Sequence, residues 1–361
     1  MARSLRVDPK YIDKVKSALQ RNNYPSQQSL ANDSGFSLST VKSFLNGKPV
    51  DYVNFEELSN KLGLDFQAIA YKEPDPQPTN QEASPFITGP PITQPRSFFG
   101  REKELKRLFN LLKRYPLQNA AIIGKKRSGK TSLLHYLKNI TTTPVEQLRP
   151  GQKSDWLPHS ETYQWVFVDL QDSRIHSREG ILKYILESLN IKVPTPCDLD
   201  HFMNVVEENL SFRAVILLDE ISVGLERCSE LDDTFWESLR SLATNHTRGN
   251  LSFILSTPES PIDLAKNTGH SSPFFNIFGY TAYIGAFTEA AARRLIASSP
   301  IPFPDEDIEW ILTHSQCQPL LLQILCLERL FTLEEGENDD NWREEGLRQI
   351  QPFTDLLDKP K

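Results

Sequence analysis

Short, continuous apolar runs recur along the middle of this 361-residue chain and alternate with stretches of helical periodicity. The runs cover residues 120–123, 165–170, 214–218, 251–255 and 281–284. Runs without polar alternation are typical of parallel strands that are buried on both faces of a sheet. The pattern therefore predicts an α/β domain in which helices flank a parallel sheet.

The first 72 residues show helical periodicity only. Apolar residues repeat every three or four positions, which predicts short helices over residues 11–19, 27–32, 37–45 and 55–62. Ala31, Gly35 and Val41 have the spacing of a helix-turn-helix. The small residue suits the crossing of two helices, the glycine suits the turn, and the β-branched residue suits the core of the second helix. We expect a small all-α domain here.

This domain resembles the repressor-type helix-turn-helix of the Cro and cI class over residues 8–70, with the segments FLNGK at 44–48 and LSNKLGL at 58–64. The resemblance implies that the helix 37–45 enters a major groove of DNA. The side chains expected on that face or near a phosphate are Ser37, Ser39, Lys42, Ser43 and Lys48. Hydroxyl groups discriminate bases poorly, so modest specificity is expected. Because the face has few basic side chains, a protein-docking module remains the alternative.

A proline-rich stretch over residues 73–96 follows and contains seven prolines among 24 residues. Such a segment cannot build a core, and we expect an extended, semi-rigid linker. Charge also differs on the two sides. Residues 1–72 carry a net +3 and the remaining 289 residues carry a net −10, which favours a separate N-terminal module.

The strongest motif follows the apolar run 120–123. Residues 124–131, GKKRSGKT, fit G-x4-G-K-[ST] between a strand and a helix, which is the context of a phosphate-binding P-loop. Glycines let successive N–H groups point at phosphate oxygens, and the helix N-terminus adds a positive end. Lys130 is expected to reach the β and γ phosphates, and Thr131 to hold Mg²⁺. The predicted nucleotide-binding residues here are Gly124, Lys125, Lys126, Arg127, Ser128, Gly129, Lys130, Thr131 and Ser132.

Two acids end the apolar run 214–218. Asp219 fits the Walker B position that holds Mg²⁺, and Glu220 fits the carboxylate that polarises an attacking water. The run 251–255 ends in Ser256 and Thr257, which are predicted to contact the γ-phosphate or the water. The sequence therefore predicts that ATP is hydrolysed as well as bound. Basal turnover is expected to be slow or to depend on a partner.

Residues 98–105, FFGREKEL, precede the P-loop by about twenty positions. Such a box resembles the entry segment of the origin-recognition, archaeal-ATPase and STAND branches of AAA+-like proteins. The resemblance implies that Phe99, Gly100 and Arg101 lie across the adenine pocket, and that Pro319 packs on adenine from an all-helical lid. The chain departs from these families at two places. Their lid motif has the form GxP, but neither Ser315 nor Cys317 supplies its glycine before Pro319. STAND proteins usually have an arginine just after the strand 251–255, where this chain has Pro258.

Composition changes this interpretation little. Hydrophobic content is 39%, the longest apolar runs are too short to span a bilayer, and no signal peptide is predicted, so we expect a cytoplasmic protein without membrane contact. The cysteines at 197, 228, 317 and 326 lack metal-site spacing and are expected to be reduced thiols.

The predicted organisation has a helix-turn-helix domain (1–72), a linker (73–96), a P-loop ATPase core (97–286), a helical lid (287–335) and a tail (336–361). We expect an ATP- and Mg²⁺-dependent regulator that binds DNA, with nucleotide controlling assembly or DNA binding. One alternative is an AAA+ DNA-remodelling or loading ATPase, which requires an arginine finger such as Arg240 or Arg248 and a homo-oligomer. Another is a STAND-like signalling scaffold whose helical module binds protein. The insertion 141–164 has no assigned role.

Overall fold

The computed structural model describes residues 4–8, 11–22, 24–64, 66–70, 84–336 and 340–357. The chain divides into two compact units, Met1–Ala83 and Ser84–Lys361. None of the helices within the described ranges combines the length and the apolar content that crossing a membrane requires.

The first unit consists of short helices around a small apolar core. Its elements are β1 (Ser4–Leu5), α1 (Ile12–Arg21), α2 (Gln27–Ser34), α3 (Leu38–Leu45), β2 (Val50–Asp51), α4 (Tyr52–Lys61) and α5 (Phe66–Ile69). β1 and β2 pair antiparallel. The sequence predicts helices only, because two-residue strands are too short to produce a recognisable alternation.

Side-chain caps define the ends of α2 and α3. The Ser26 hydroxyl accepts the Ser29 N–H at 3.1 Å, and the Ser37 hydroxyl accepts the Thr40 N–H at 3.1 Å. Gly35 ends α2 with φ of 73°, a left-handed conformation that glycine adopts readily. The two helices are thus joined by a short turn at the position that the sequence predicts. Their buried side chains are Leu30, Ala31, Val41, Phe44 and Leu45.

The second unit contains a five-stranded parallel sheet. Its strands are β3 (Ala120–Ile123), β4 (Tyr163–Asp169), β5 (Arg213–Asp219), β6 (Leu251–Thr257) and β7 (Tyr280–Tyr283). The order across the sheet is β4-β5-β6-β3-β7. Every neighbouring pair is parallel, so the strand ends that carry the predicted site residues lie at one edge. The predicted α/β fold class is confirmed.

Helices cover both faces of this sheet and continue into a helical region. They are α6 (Glu102–Leu112), α7 (Lys130–Asn139), α8 (Arg178–Ser188), α9 (Leu199–Asn209), α10 (Ile221–Arg227), α11 (Asp233–Ser241), α12 (Pro261–Asn267), α13 (Glu289–Ile296), α14 (Asp305–Ser315), α15 (Pro319–Glu334) and α16 (Asn341–Ile350). Successive residues of β3 show the layering, because Ala121 and Ile123 join one core cluster while Ala120 and Ile122 join the other. Burial on both faces explains why the strands read as unbroken apolar runs.

The helices after β7 form a third apolar core. Leu295, Ile311, Leu321 and Leu325 are buried there, and side chains of α16 join them. Trp342 of α16 is 3% exposed. The described part of the tail predicted over residues 336–361 therefore packs with the lid helices, although its loose amphipathic pattern gave no clear indication of this.

Residues 84–96 of the predicted linker contact the second unit. Phe86 is 3% exposed, and its ring lies 6.1 Å from that of Phe303. The Ile92 N–H donates to the Ser132 hydroxyl at 3.0 Å. These contacts place residues 84–96 with the second unit and not in a free tether, because buried apolar side chains and backbone hydrogen bonds hold them. Residues 73–83 of the predicted linker lie outside the described residues.

Candidate functional site

A cavity of about 460 Å³ lies at the carboxyl edge of the sheet, where parallel α/β sheets bind ligands. The P-loop and the ends of β4 and β5 form one side of it. Residues 87–92, Phe98 and Phe99, and the start of α15 form the other. The cavity thus brings together segments that are far apart in the sequence.

Two glycines shape the P-loop as the motif predicts. A β-carbon on Gly124 would lie 2.5 Å from the Ser128 hydroxyl and 2.6 Å from the carbonyl oxygen of Ile284, so no side chain fits there. Gly129 has φ of 93° at the start of α7. The Ser128 hydroxyl is buried and has no hydrogen-bond partner within the described chain. A buried hydroxyl without a hydrogen-bond partner is consistent with a loop whose polar groups bind a polar ligand.

Lys130 is 8% exposed and extends back along the loop. Its Nζ donates to the carbonyl oxygens of Gly124 at 3.0 Å and Lys125 at 3.2 Å. Burial lowers the pKa of Lys130, while the carboxylates of Glu220 and Asp219 act in the opposite direction. A buried ammonium held by neutral carbonyls and facing the cavity is well placed to meet an anionic ligand.

The remaining P-loop side chains differ in where they point. Lys126 and Thr131 line the cavity, as does Ser132, whose hydroxyl accepts the Ile92 N–H. Arg127 also lines it and donates to the carbonyl oxygen of Gly89 at 3.2 Å. Lys125 does not line it, because its Nζ donates to the carbonyl oxygen of Asp355 at 3.1 Å.

Acidic groups face the P-loop from the end of β5. Asp219 is 2% exposed and accepts a hydrogen bond from the Ser256 hydroxyl. Glu220 has a left-handed φ of 51°, and its N–H donates to the same hydroxyl at 3.3 Å. Burial raises the pKa of Glu220, Asp219 raises it further, and Lys130 lowers it. A carboxyl with a raised pKa beside a bound anion is suited to work as a general base.

Ser256 and Thr257, which are predicted to contact the γ-phosphate or the attacking water, end β6, and this strand lies between β5 and β3. Neither residue lines the cavity directly. Thr257 is 1% exposed, and its hydroxyl donates to the carbonyl oxygen of Glu259 at 2.8 Å. The structure therefore separates the two residues, since Ser256 holds the Asp219 carboxylate and the Glu220 backbone N–H whereas Thr257 closes a local turn.

Phe98, Phe99 and Arg101 line the cavity, whereas Gly100 lies just outside it. Gly100 has φ of 69°, and a β-carbon there would lie 3.1 Å from the Phe287 ring. The Arg101 guanidinium donates to the carbonyl oxygens of Gly285 and Ala286 and lies 4.9 Å from the centroid of the Phe287 ring. Arg101 therefore ties this segment to the end of β7 while it borders the cavity.

Several lining residues escaped the sequence prediction. They are residues 87–92, Phe98, Asp169, Gln171, Phe287, Leu320 and Gln323. Gln323 is 6% exposed and accepts the Ile87 N–H at 2.7 Å, so it joins the lid to residues 87–92. Only Asp169 and Gln171 had a signal, namely their place at the end of an apolar run. Pro319 lines the cavity as expected.

A magnesium site needs hard oxygen ligands, and the cavity offers them. Thr131 supplies a hydroxyl, and Asp219 and Glu220 supply carboxylates to the same cavity. No group of three or more His, Cys, Asp or Glu suited to a metal occurs among the described residues. This donor set fits an ion that is shared with phosphate oxygens, and not one held by the protein alone.

The residues predicted to meet DNA lie together on the first unit. Lys42 and Lys48 are exposed, and Ser43 is half-buried. The Ser37 hydroxyl lies 2.7 Å from that of Ser39 and also caps α3, so both hydroxyls already have partners. The possible fingers Arg240, on α11, and Arg248, before β6, do not line the cavity.

Comparison with known proteins supports the fold. No protein-family model matches the sequence, and no curated protein is similar to it. The Walker-type ATPase of Pyrococcus abyssi is similar in structure, with 18% identity, a TM-score of 0.53, and coverage of 73% of this chain and 75% of that one. The ORC2 protein of Aeropyrum pernix in its ADPNP–ADP complexes has 12% identity, a TM-score of 0.49, and coverage of 70% and 69%. The likeness to the Pyrococcus abyssi ATPase supports the fold of the second unit, a parallel sheet flanked by helices with a P-loop after one strand.

Proposed function

We propose that the cavity at the carboxyl edge of the sheet binds ATP with Mg²⁺ and hydrolyses it. The observation that carries this proposal is the meeting of Lys130, Asp219 and Glu220 in one cavity beside a glycine-shaped loop. A phosphate chain needs N–H donors and a cation on one side and an activated water on the other. The cavity has groups of both kinds.

Each residue then has a definite role. The loop from Gly124 to Gly129 and the N-terminus of α7 hold the phosphates, and Lys130 neutralises them. Thr131 and Asp219 hold Mg²⁺, which when bound offsets charge on the phosphates. Glu220 accepts a proton from the attacking water, and Ser256 keeps the Asp219 carboxylate and the Glu220 backbone in place. Phe99 and Pro319 border the site of the base.

We propose further that the first unit binds DNA weakly through α3 and that nucleotide controls this binding. Support comes from the capped α2–α3 pair and from the exposed Lys42 and Lys48. A face with so few cations makes few phosphate contacts, so a single unit binds poorly. Nucleotide-dependent self-association holds several units together and raises their effective concentration.

A protein-binding scaffold is the second candidate, and one observation favours it. Ser37 and Ser39 are hydrogen-bonded to each other at the start of α3, which leaves Lys42 as the cation of the predicted reading face. A helix face of this kind docks on protein as readily as on DNA.

Fluorescence anisotropy on labelled genomic fragments separates the two candidates. We expect the full chain with ATP and Mg²⁺ to bind more tightly than without them, and Lys130→Ala to remove that difference. The Lys42→Ala/Lys48→Ala variant should bind more weakly and with a smaller salt dependence. Lys16→Ala, a change of an exposed lysine on α1, is the matched control. DNA affinity that is absent, or unchanged by both sets of variants, favours the scaffold.

A further inference from the structure

A second cavity, of about 780 Å³, lies behind the turn that contains Phe98 and Phe99. Helix α6, residues 149–156 of the insertion and helix α13 form its other walls. Phe98 and Phe99 line both this cavity and the one that contains the P-loop. The two cavities therefore share a wall, and no role so far assigned to any residue uses the second one.

The lining of this second cavity is cationic, although the chain after residue 72 has a net charge of −10. Its charged residues are Lys106, Lys113, Arg149, Lys153, Arg294 and Glu102. Glu102 is paired with Arg294, and Lys153 is paired with Asp155 at 3.2 Å. The side chains of Lys106, Lys113 and Arg149 form no ion pair with any carboxylate of the described ranges. A positive charge without an anion remains in the cavity.

Arg149 differs from a solvated surface cation. Its guanidinium carbon lies 3.7 Å from the centroid of the Phe99 ring, and its Nη2 donates to the carbonyl oxygen of Phe98 at 2.6 Å. Its Nε is buried and has no acceptor among the described residues. Burial also lowers the pKa of Arg149. Buried charges in proteins are normally paired, so this half-buried guanidinium has an interaction still to satisfy.

The volume of the second cavity and its other lining residues limit which ligand can bind the Arg149 guanidinium. A volume of this order suits a small molecule. Leu105, Tyr136 and Trp156 add apolar surface to the lining of the same cavity. A guanidinium with nearby ammonium groups matches the geometry and charge of a phosphate group. The ligand that fits both parts has a phosphate group and a compact, less polar body.

We propose that this second cavity binds a small organic phosphate, with its phosphate group on Arg149, Lys106 and Lys113. Because Arg149 is stacked on Phe99, an occupant of this cavity also acts on the wall of the P-loop cavity. The site thus has a regulatory effect on nucleotide binding, a part of the inference that rests on the proposed ATP-binding function. The binding itself does not depend on that function.

Inorganic pyrophosphate is a suitable probe, titrated by calorimetry into the full chain with saturating ADP and Mg²⁺ to occupy the P-loop. We expect binding to persist under these conditions and also in the Lys130→Ala protein without ADP. Arg149→Gln should weaken it by roughly tenfold or more, because a charge-assisted hydrogen bond is lost. Arg149→Lys should recover only part of the affinity, and Lys138→Gln, a change on α7 outside this cavity, should not alter it.

Arg149 also holds the insertion in place, so the exposed pair Lys106→Gln/Lys113→Gln serves as a second variant. Its melting temperature should match that of the parent while its pyrophosphate affinity falls. Displacement of pyrophosphate by ADP, or affinity that neither variant changes, overturns the proposal. So does binding of a single-stranded oligonucleotide that Lys106→Gln/Lys113→Gln weakens while the pyrophosphate affinity is unchanged, since that assigns the groove to nucleic acid. If ADP does not bind the parent protein, the proposed ATPase function is wrong. The titration of pyrophosphate into Lys130→Ala then still tests whether the second cavity binds a phosphate group.

Discussion

The hydroxyl of Ser256 donates a hydrogen bond to Oδ1 of Asp219, and both residues are buried. The Ser256 hydroxyl oxygen also accepts the Glu220 N–H at 3.3 Å, so one hydroxyl at the end of β6 holds the carboxylate of Asp219 and the backbone of Glu220. Strand pairing in parallel register brings these ends together. In the proposed function Ser256 is therefore a positioning residue for Asp219 and Glu220, since it does not itself line the cavity.

Ser256→Ala is expected to lower ATP turnover about 10–100-fold, the range usual for loss of a partner that orients a metal-binding carboxylate. The Mg²⁺ concentration that gives half-maximal turnover should be higher in this variant than in the parent protein, an effect that a purely structural change would not produce. Ser252→Ala is the matched control, because Ser252 lies on the same strand and is equally buried, but its hydroxyl donates to the carbonyl oxygen of Gln118 at 2.8 Å. Equal turnover in the two variants would remove the positioning role.

Lys130→Ala is expected to abolish tight ATP binding, because the cation that neutralises the phosphates is lost. The fold should persist, since the substitution removes a buried charge held only by the carbonyls of Gly124 and Lys125. Calorimetric titration measures the affinity. Lys138→Ala on the same helix should bind ATP normally. Unchanged affinity in Lys130→Ala would contradict the P-loop assignment.

Glu220→Gln is expected to lower turnover about a hundredfold or more with ATP binding retained, because the amide keeps the shape but cannot accept the proton. Steady-state hydrolysis and calorimetry together separate the two effects. Glu226→Gln, at an exposed position on the following helix, is the control. Parent-like turnover in Glu220→Gln would move the base elsewhere.

The raised pKa of Glu220 also predicts how stability depends on pH without nucleotide. A carboxyl whose pKa is higher in the folded than in the unfolded chain lowers stability when ionised, and this cost disappears below the unfolded value. Glu220→Gln should therefore raise the melting temperature at pH 7. The gain should shrink as the pH falls toward about 4, the ordinary pKa of glutamate. Thermal melts across this range test it, and a gain that stays constant with pH would contradict the shift.

Asp307→Asn is expected to destabilise the lid by roughly 3–5 kcal/mol, the cost of breaking a buried ion pair from one side. Asp307 lies 2.7 Å from Arg329 and 2.9 Å from Arg343, and its side chain is 6% exposed. Because α15 also carries Pro319 and Gln323 to the cavity, ATP affinity should fall as well. Denaturant unfolding measures the stability. Asp305→Asn at an exposed position of α14 should have little effect.

Much of the sheet could be predicted from local pattern. All five apolar runs became strands of the parallel sheet, with ends shifted by a residue or two. The GKKRSGKT motif fell between β3 and α7. Both results have one cause, since a strand buried on both faces must be apolar throughout and a phosphate loop needs glycine at fixed places. The roles of the site residues stay predictions.

The sequence by itself determined the fold class, the P-loop and the acidic strand end, because each depends on residues that are neighbours in the chain. Only the tertiary structure decided that Gln323 meets residues 87–92, that Ser256 and not Thr257 supports the acids, and that Arg149 stacks on Phe99. The contacts of Gln323, Ser256 and Arg149 join residues tens to hundreds of positions apart, and no local pattern encodes them. They arise because parallel strands align their ends at one edge and the lid folds back over it.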